Sequence, residues 1–139
     1  MTVLPRLDSE RKGSVLTFLY AAELIKRQSE LSYLKGADLR GAKLFKANLG
    51  RVGMSGADLR GADLAVASMR KAYLSNAVLS EAFLSEATLY GADLQRANLQ
   101  SANLHNANLD NANLRSANLD NAIMPEGSEH PYQRTSENS

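Results

Sequence analysis

The sequence contains no cysteine and no tryptophan, only three prolines, and 6% aromatic residues among its 139 residues. Without cysteine, the chain cannot form a disulfide, bind a metal through a thiolate or use a thiol nucleophile. Because aromatic residues are few, the 44% of hydrophobic residues must build any core from small aliphatic side chains. These absences favour a single domain of many thin layers over one globular centre.

The chain also lacks an excess of either charge. Its formal net charge is +1, from 16 Lys and Arg against 15 Asp and Glu, so no overall field attracts nucleic acid. No stretch approaches the ~20 apolar residues that span a membrane, and residues 1–14 lack the apolar region of a signal peptide. The sequence therefore predicts a cytoplasmic protein without a membrane partner.

A strict repeat of five residues fills most of the chain. Leucine or methionine stands at every fifth position from Leu34 to Met124, and alanine stands two residues before each, with Ser32 and Val52 as the only departures. Residues five apart are rotated by ~140° around a helix and face opposite sides of a strand. Neither element could bury all the leucines on one face. The chain must therefore coil through short extended segments, with Ala and Leu inward, joined by two-residue corners.

Glycine supports this assignment of the corners, because several turn types need a residue that tolerates positive φ. It occupies the second corner position at Gly36, Gly41, Gly56, Gly61 and Gly91. The pattern alone leaves open whether a coil has three or four sides. Like residues twenty positions apart mildly favour four.

The repeated units Ala-Asp-Leu-Arg-Gly (37–41 and 57–61) and Ala-Asn-Leu-Asp-Asn (107–111 and 117–121) resemble the pentapeptide-repeat family. This resemblance implies an all-β solenoid, a right-handed quadrilateral β-helix of nearly five coils and roughly 24 Å length. The stretch 11–20 is similar to the lead-in of small cyanobacterial members of the family.

The two ends differ from the repeats, which span 31–124. Segment 1–30 is predicted to carry a short N-terminal α-helix at about residues 9–28, with Asp8 and Ser9 as N-cap candidates. Its expected role is to cover the first coil, and a partner-binding helix is the alternative. Segment 125–139 is polar and interrupted by proline, so we expect a disordered tail.

Catalysis is not expected from a rod whose interior is filled by Leu and Ala. His105 and His130 are predicted to be solvated, and Asp58 and Asp63 should lie on different sides of the coil. The Asp and Asn residues that precede the leucines are expected to bond nearby backbone at the turns. The sequence therefore predicts no enzyme, no cofactor and no metal site.

The departures from the repeat suggest an interaction patch. Outward aromatic and β-branched residues replace the usual Asp or Asn from Tyr73 to Thr88, one on each side of a single coil, and Phe45 and Val66 are expected near Phe83. Exposed aromatic clusters often mark interfaces. Alternatively, such residues suit extended backbone and stabilise neighbouring coils. The candidate patch is Phe45, Val66, Tyr73, Val78 and Phe83.

Basic residues stack at two corners if coils repeat every twenty residues. Like charges in register cost stability, so these columns suggest contact with an anion, with solvated corners as the alternative. The candidate residues are Arg40, Arg60, Arg51, Arg70 and Lys71.

The sequence as a whole predicts a noncatalytic scaffold for an unidentified protein partner. The family resemblance implies an alternative, a DNA mimic that modulates a type II topoisomerase such as DNA gyrase. The repeats disfavour it, because they hold ten Lys or Arg against eight Asp or Glu and contain no loop insertion. The resemblance is also compatible with a homodimer joined at the C-terminal coil. Nucleic-acid binding is not expected, because no aromatic stacking platform is interleaved with the charges.

Overall fold

The structure, a computed structural model, describes residues 34–126. The predicted N-terminal helix lies outside these residues, and so does the predicted tail except for Pro125 and Glu126. Within 34–126 the backbone forms turns and isolated bridges, with no helix and no longer strand.

Parallel bridges join outward-facing residues that are twenty positions apart, such as Asp38 with Asp58 and Val78 with Asn98. Twenty residues make four units of five, so each coil has four sides. The four-sided alternative, which the sequence only mildly favoured, is confirmed by this register.

The four sides are named here by the residues that bridge along them. Face A holds Asp38, Asp58, Val78, Asn98 and Asn118; face B holds Lys43, Asp63, Phe83, Asn103 and Ile123; face C holds Asn48, Ser68, Thr88 and Asn108; face D holds Gly53, Tyr73, Asp93 and Asn113.

Each corner takes the names of the faces it joins, so residues 40 and 41 lie at corner AB, 45 and 46 at BC, 50 and 51 at CD, and 55 and 56 at DA. Residues 34–71 are called the lower coils, 72–91 the middle coil and 92–126 the upper coils.

Backbone hydrogen bonds tie each coil to its neighbours. The Asp58 amide donates to the Ala37 carbonyl at 2.9 Å, and the Leu39 amide donates to the Asp58 carbonyl at 2.7 Å. This exchange repeats up the rod, as expected for parallel segments spaced ~4.8 Å apart. Each coil is therefore held by the coil below and the coil above.

The corners are β-turns with an unusual backbone requirement. The Ala42 amide donates to the Leu39 carbonyl at 3.1 Å, and the second corner residue has positive φ, as in a type II turn. Five of these residues are the glycines predicted from the sequence, and thirteen are not glycine. A left-handed conformation costs an ordinary residue about 1–2 kcal/mol. Many corners therefore depend on the stacked coils to hold their turns.

The interior consists of the Leu, Met and Ala columns. Leu39, Leu84 and their equivalents are completely buried through most of the rod, and each buried Leu stabilises the fold by roughly 1.5–3 kcal/mol. Leu109 and Leu114 are only half-buried, because no coil lies above them within the described residues. The core is therefore strongest in the middle coil.

Candidate interaction surface

Most of the predicted apolar patch is exposed. Phe45 and Phe83 are each 54% exposed, Tyr73 is 52% exposed and Val66 39%, whereas Val78 is half-buried. The outward-facing prediction therefore holds for all of these residues except, in part, Val78.

The structure divides this patch between different sides of the rod. Phe83 lies on face B, and Phe45 and Val66 lie at the adjoining corner BC. Tyr73 lies on face D, opposite face B, and Val78 lies on face A. This division agrees with the prediction that the residues from Tyr73 to Thr88 lie one on each side of a coil, because each step of five residues turns the chain onto the next face. We call Phe45, Val66 and Phe83 the apolar edge.

Val66 has the least expected backbone conformation of the three. Its φ is 60°, a region that a β-branched residue rarely occupies. The other non-glycine residues at such corners are Lys, Arg, Asn, Glu and Ser. β-Branched residues stabilise extended backbone. This explanation thus applies to Val78 but not to Val66. An exposed valine here costs about 1–2 kcal/mol without filling the core.

Phe45 has a cation beside its ring. The Lys46 Nζ lies 5.1 Å from the centroid of the Phe45 ring, within the range of a cation–π contact. More than half of the Phe45 side chain still faces solvent. The apolar edge therefore begins beside a positive charge.

Ile123 is a further exposed apolar residue, at 56%, which the sequence analysis did not select. It lies on face B, two coils above Phe83. The sequence could have indicated this exposure, because Ala-Ile-Met (122–124) is another unit in which an apolar residue replaces Asp or Asn.

The basic residues at corner AB are paired with acids. The Arg40 Nη2 lies 2.8 Å from Asp38 Oδ2, and the Arg60 Nη2 lies 2.6 Å from Asp58 Oδ2. The Arg40 Nε also lies 3.8 Å from Asp58 Oδ2. The hydrogen bond from the Arg60 side chain lowers the pKa of Asp58 below its usual value of 3.8, and this outweighs the opposing effect of partial burial. Arg40 and Arg60 thus form a neutralised column, and their stacking alone does not indicate an anion site.

The basic residues at corner CD have a different environment. The Arg51 amide donates to the Arg70 carbonyl at 2.8 Å, so these corners stack in adjacent coils with Lys71 beside them. No ion pair involves these three side chains within residues 34–126. The Arg70 guanidinium lies 4.7 Å from the centroid of the Tyr90 ring, which restrains it at the surface. Corner CD is therefore an exposed cluster of unneutralised cations.

The recurring Asp and Asn residues have a structural role, as predicted. Their Oδ1 atoms accept hydrogen bonds from the backbone amide two residues later, which satisfies the first corner residue. Such bonds are made by Asp38, Asn48, Asp58, Asp63, Asp93, Asn98, Asn103, Asn108, Asn113 and Asn118.

Asp58 and Asp63 do not converge as a carboxylate pair would need to. They lie on faces A and B, respectively, and each accepts a hydrogen bond at its own turn. Within residues 34–126 no group of three His, Cys, Asp or Glu residues is arranged to hold a metal ion. His105 is exposed at corner BC. No helix able to cross a membrane occurs in the same part of the chain.

Comparison with known proteins agrees with this architecture. The family model for pentapeptide repeats matches in eight copies, over residues 32–61, 67–106 and 97–125. The crystal structure of a pentapeptide repeat protein from the Arabidopsis thaliana thylakoid lumen shares 33% identity with a TM-score of 0.62, covering 64% of this chain and 62% of that one. This chain thus spans less than two-thirds of that protein.

A second solved structure is a pentapeptide repeat protein from Nostoc, with 36% identity over 84% of this chain and 87% of that one, and a TM-score of 0.45. No curated protein matches the sequence significantly.

Proposed function

Because this chain belongs to the pentapeptide repeat family, whose members are generally noncatalytic structural or interaction proteins, we propose that it is a rigid module that binds another protein. The contact runs through the apolar edge formed by Phe45, Val66 and Phe83. The observation that carries this proposal is Val66, an exposed β-branched residue at φ 60°. Its side chain adds strain without adding core, which is understandable if it contacts a partner.

The geometry around Val66 supports the same proposal. Phe45 and Val66 lie at one corner in the first two coils, and Phe83 lies on the adjoining face in the next. Exposed apolar residues that cluster across a rigid backbone present a preformed contact surface, which limits the ordering entropy lost on binding. Aromatic anchors of this kind carry much of the binding energy of protein interfaces.

The test compares two variants in which serine replaces exposed aromatic residues on different sides of the rod. Phe83 and Tyr73 occupy equivalent positions in the middle coil, with exposures of 54% and 52%. We expect a Phe45→Ser, Phe83→Ser variant to lose a protein that the wild type captures from lysate of the native organism, whereas Tyr73→Ser retains it. Far-ultraviolet circular dichroism and thermal melting must show that all three proteins remain folded.

Two outcomes would contradict the proposal. If the Phe45→Ser, Phe83→Ser variant loses its β signal and melts early, these residues stabilise the rod instead of binding. If both variants retain the same partner, the contact lies elsewhere. A measured turnover of any substrate would also overturn the noncatalytic part of the proposal.

The DNA-mimic alternative receives no support from the charge distribution. The lower coils hold eight Lys or Arg against three Asp, whereas a mimic of the phosphate backbone needs a continuous acidic surface. A gyrase supercoiling assay distinguishes the two functions, because an interaction module without DNA mimicry leaves supercoiling unchanged.

The half-burial of two leucines in the upper coils supports a homodimer as a further part of the proposal. Leu109 and Leu114 are half-buried there, and their backbone amides have no acceptor within residues 34–126. Unpaired sheet edges favour association with another edge. We expect sedimentation velocity to show a dimer, and a Leu114→Arg variant to be monomeric. A monomeric wild type would remove this part of the proposal.

A further inference from the structure

The exposed apolar residues of corner BC and the basic residues of corner CD lie on either side of one face of the rod. Face C lies between corner BC, where Phe45 and Val66 are exposed, and corner CD, where Arg51, Arg70 and Lys71 cluster. Face C is therefore flanked by an apolar edge on one side and a basic edge on the other.

Face C itself is narrow and uncharged in the lower coils. Its outward residues there are Asn48 and Ser68, and Lys46 adds a cation on the apolar side. Arg51 comes five positions after Lys46, so even a fully extended chain would span at most about 17 Å between their Cα atoms. One extended segment of a partner can contact both edges at once.

The charge of the rod changes sign along its axis. The lower coils contain eight Lys or Arg against three Asp, whereas the middle and upper coils contain two against six Asp or Glu. Within residues 34–126 the ion pairs involve only Arg40 and Arg60 at corner AB. The cations around lower face C thus remain available, and Glu86 follows above Val66 at corner BC.

We infer that the lower half of face C binds an acidic polypeptide segment, with its carboxylates towards Arg51, Arg70 and Lys71 and an apolar side chain against Phe45 and Val66. This inference rests on the proposed function and names the chemistry of the partner. The stacking of Arg70 on Tyr90 restrains one guanidinium, which reduces the entropy lost when it pairs with a carboxylate.

The axial change of charge favours a protein segment over a nucleic acid. The two lower coils rise only about 10 Å, whereas duplex DNA carries one negative charge per ~1.7 Å along its whole length. A duplex lying on lower face C would continue over Glu86 and Asp110. A polypeptide can confine its carboxylates to the basic part and avoid this repulsion.

The experiment is an NMR titration of the folded, isotope-labelled full chain. The probes are a short peptide in which glutamates flank one leucine, the same peptide with serine in place of leucine, and a short DNA duplex. We expect the leucine peptide to shift the amide signals of residues 45–51 and 66–71, with weaker binding by the serine peptide. Raising the salt concentration should weaken both.

Matched variants assign the charge contribution. Arg51→Gln, Arg70→Gln removes two unpaired cations from adjacent coils at corner CD, and Arg40→Gln, Arg60→Gln removes two paired cations from adjacent coils at corner AB. We expect the corner CD variant to bind the leucine peptide about fivefold more weakly and the corner AB variant to bind it nearly as the wild type does.

Several results would overturn the inference. These are equal weakening by both variants, tighter binding of the DNA duplex than of the leucine peptide, or no shifts with peptide up to about 1 mM. If the Phe45→Ser, Phe83→Ser variant loses a captured protein that the corner CD variant still retains, the acidic-segment inference fails while the proposed function stands.

Discussion

The middle coil and the upper coils share one interior but satisfy their outer turns differently. In the upper coils Asn and Asp side chains accept the amide of the following corner, as Asn98 does from Gln100 at 3.1 Å. No such bond is made in the middle coil, where Tyr73, Val78, Phe83 and Thr88 stand at the equivalent positions. The interior Leu and Ala columns are continuous through both. The buried columns thus maintain the coil, and the outer positions can be changed for other purposes.

The largest expected effect tests the interior. Leu84 in the middle coil is fully buried, and Leu114 in the upper coils is half-buried. We expect Leu84→Ala to lower the free energy of unfolding by about 3 kcal/mol, and Leu114→Ala by about 1 kcal/mol, since less contact is lost. Denaturant unfolding followed by circular dichroism measures both. Equal losses would show that the top of the rod is covered by other parts of the protein.

The next effect comes from a reciprocal exchange at corner BC. Val66 and Asn106 are second corner residues in the same column, with φ values of 60° and 55°. We expect Val66→Asn to stabilise the protein by about 1 kcal/mol and Asn106→Val to destabilise it by a similar amount, because Asn tolerates this conformation better. If the melting temperatures of the two variants shift in the same direction, the positive φ of Val66 does not strain the protein.

A smaller effect tests the outer hydrogen bond of the upper coils. We expect Asn98→Ala to cost about 1 kcal/mol, because the Gln100 amide loses its acceptor. Asn98→Asp is the control, since it retains Oδ1 and should change stability by only a few tenths of a kcal/mol. Equal losses from the two variants in chemical denaturation would contradict this role of the side chain.

The smallest effect concerns pH and compares two residues of face A, Asp58 and Asn98. Because the pKa of Asp58 is lowered below 3.8 in the folded protein, its pairing stabilises the fold fully above that value. This contribution is lost as the pH falls through the lower folded pKa. We expect the melting temperature of Asp58→Asn to fall less below pH 4 than that of the wild type. An unchanged acid dependence would show that Asp58 contributes nothing measurable.

Much of the fold follows from the sequence because a period of five permits few arrangements. The inward Leu and Ala columns and the glycine corners were predicted correctly, and the bridges resolved the number of sides. Positive φ at Val66 and twelve other non-glycine residues was not predictable, because only the stacked neighbours hold those residues there.

The surface was less predictable than the interior. The pairing of Arg40 with Asp38 and of Arg60 with Asp58 depends on how side chains two residues apart meet at a corner. Sequence stacking alone could not separate these cations from Arg51 and Arg70. The division of the residues from Tyr73 to Thr88 among the four faces, by contrast, was predicted from the repeat of five, and the bridges agree with it. The predicted N-terminal helix lies outside the described residues and stays a prediction.

The register of twenty also means that the number of repeat units between two residues determines whether they lie on the same face. Insertion of one five-residue unit between the lower and middle coils would leave the interior columns unchanged in composition. Every outer residue above the insertion would move round to the next face, so Phe83 would move from face B to face C. Insertion of four units would return every outer residue to its original face and lengthen the rod by one coil. The number of units added therefore sets both the face on which the outer residues lie and the length of the rod.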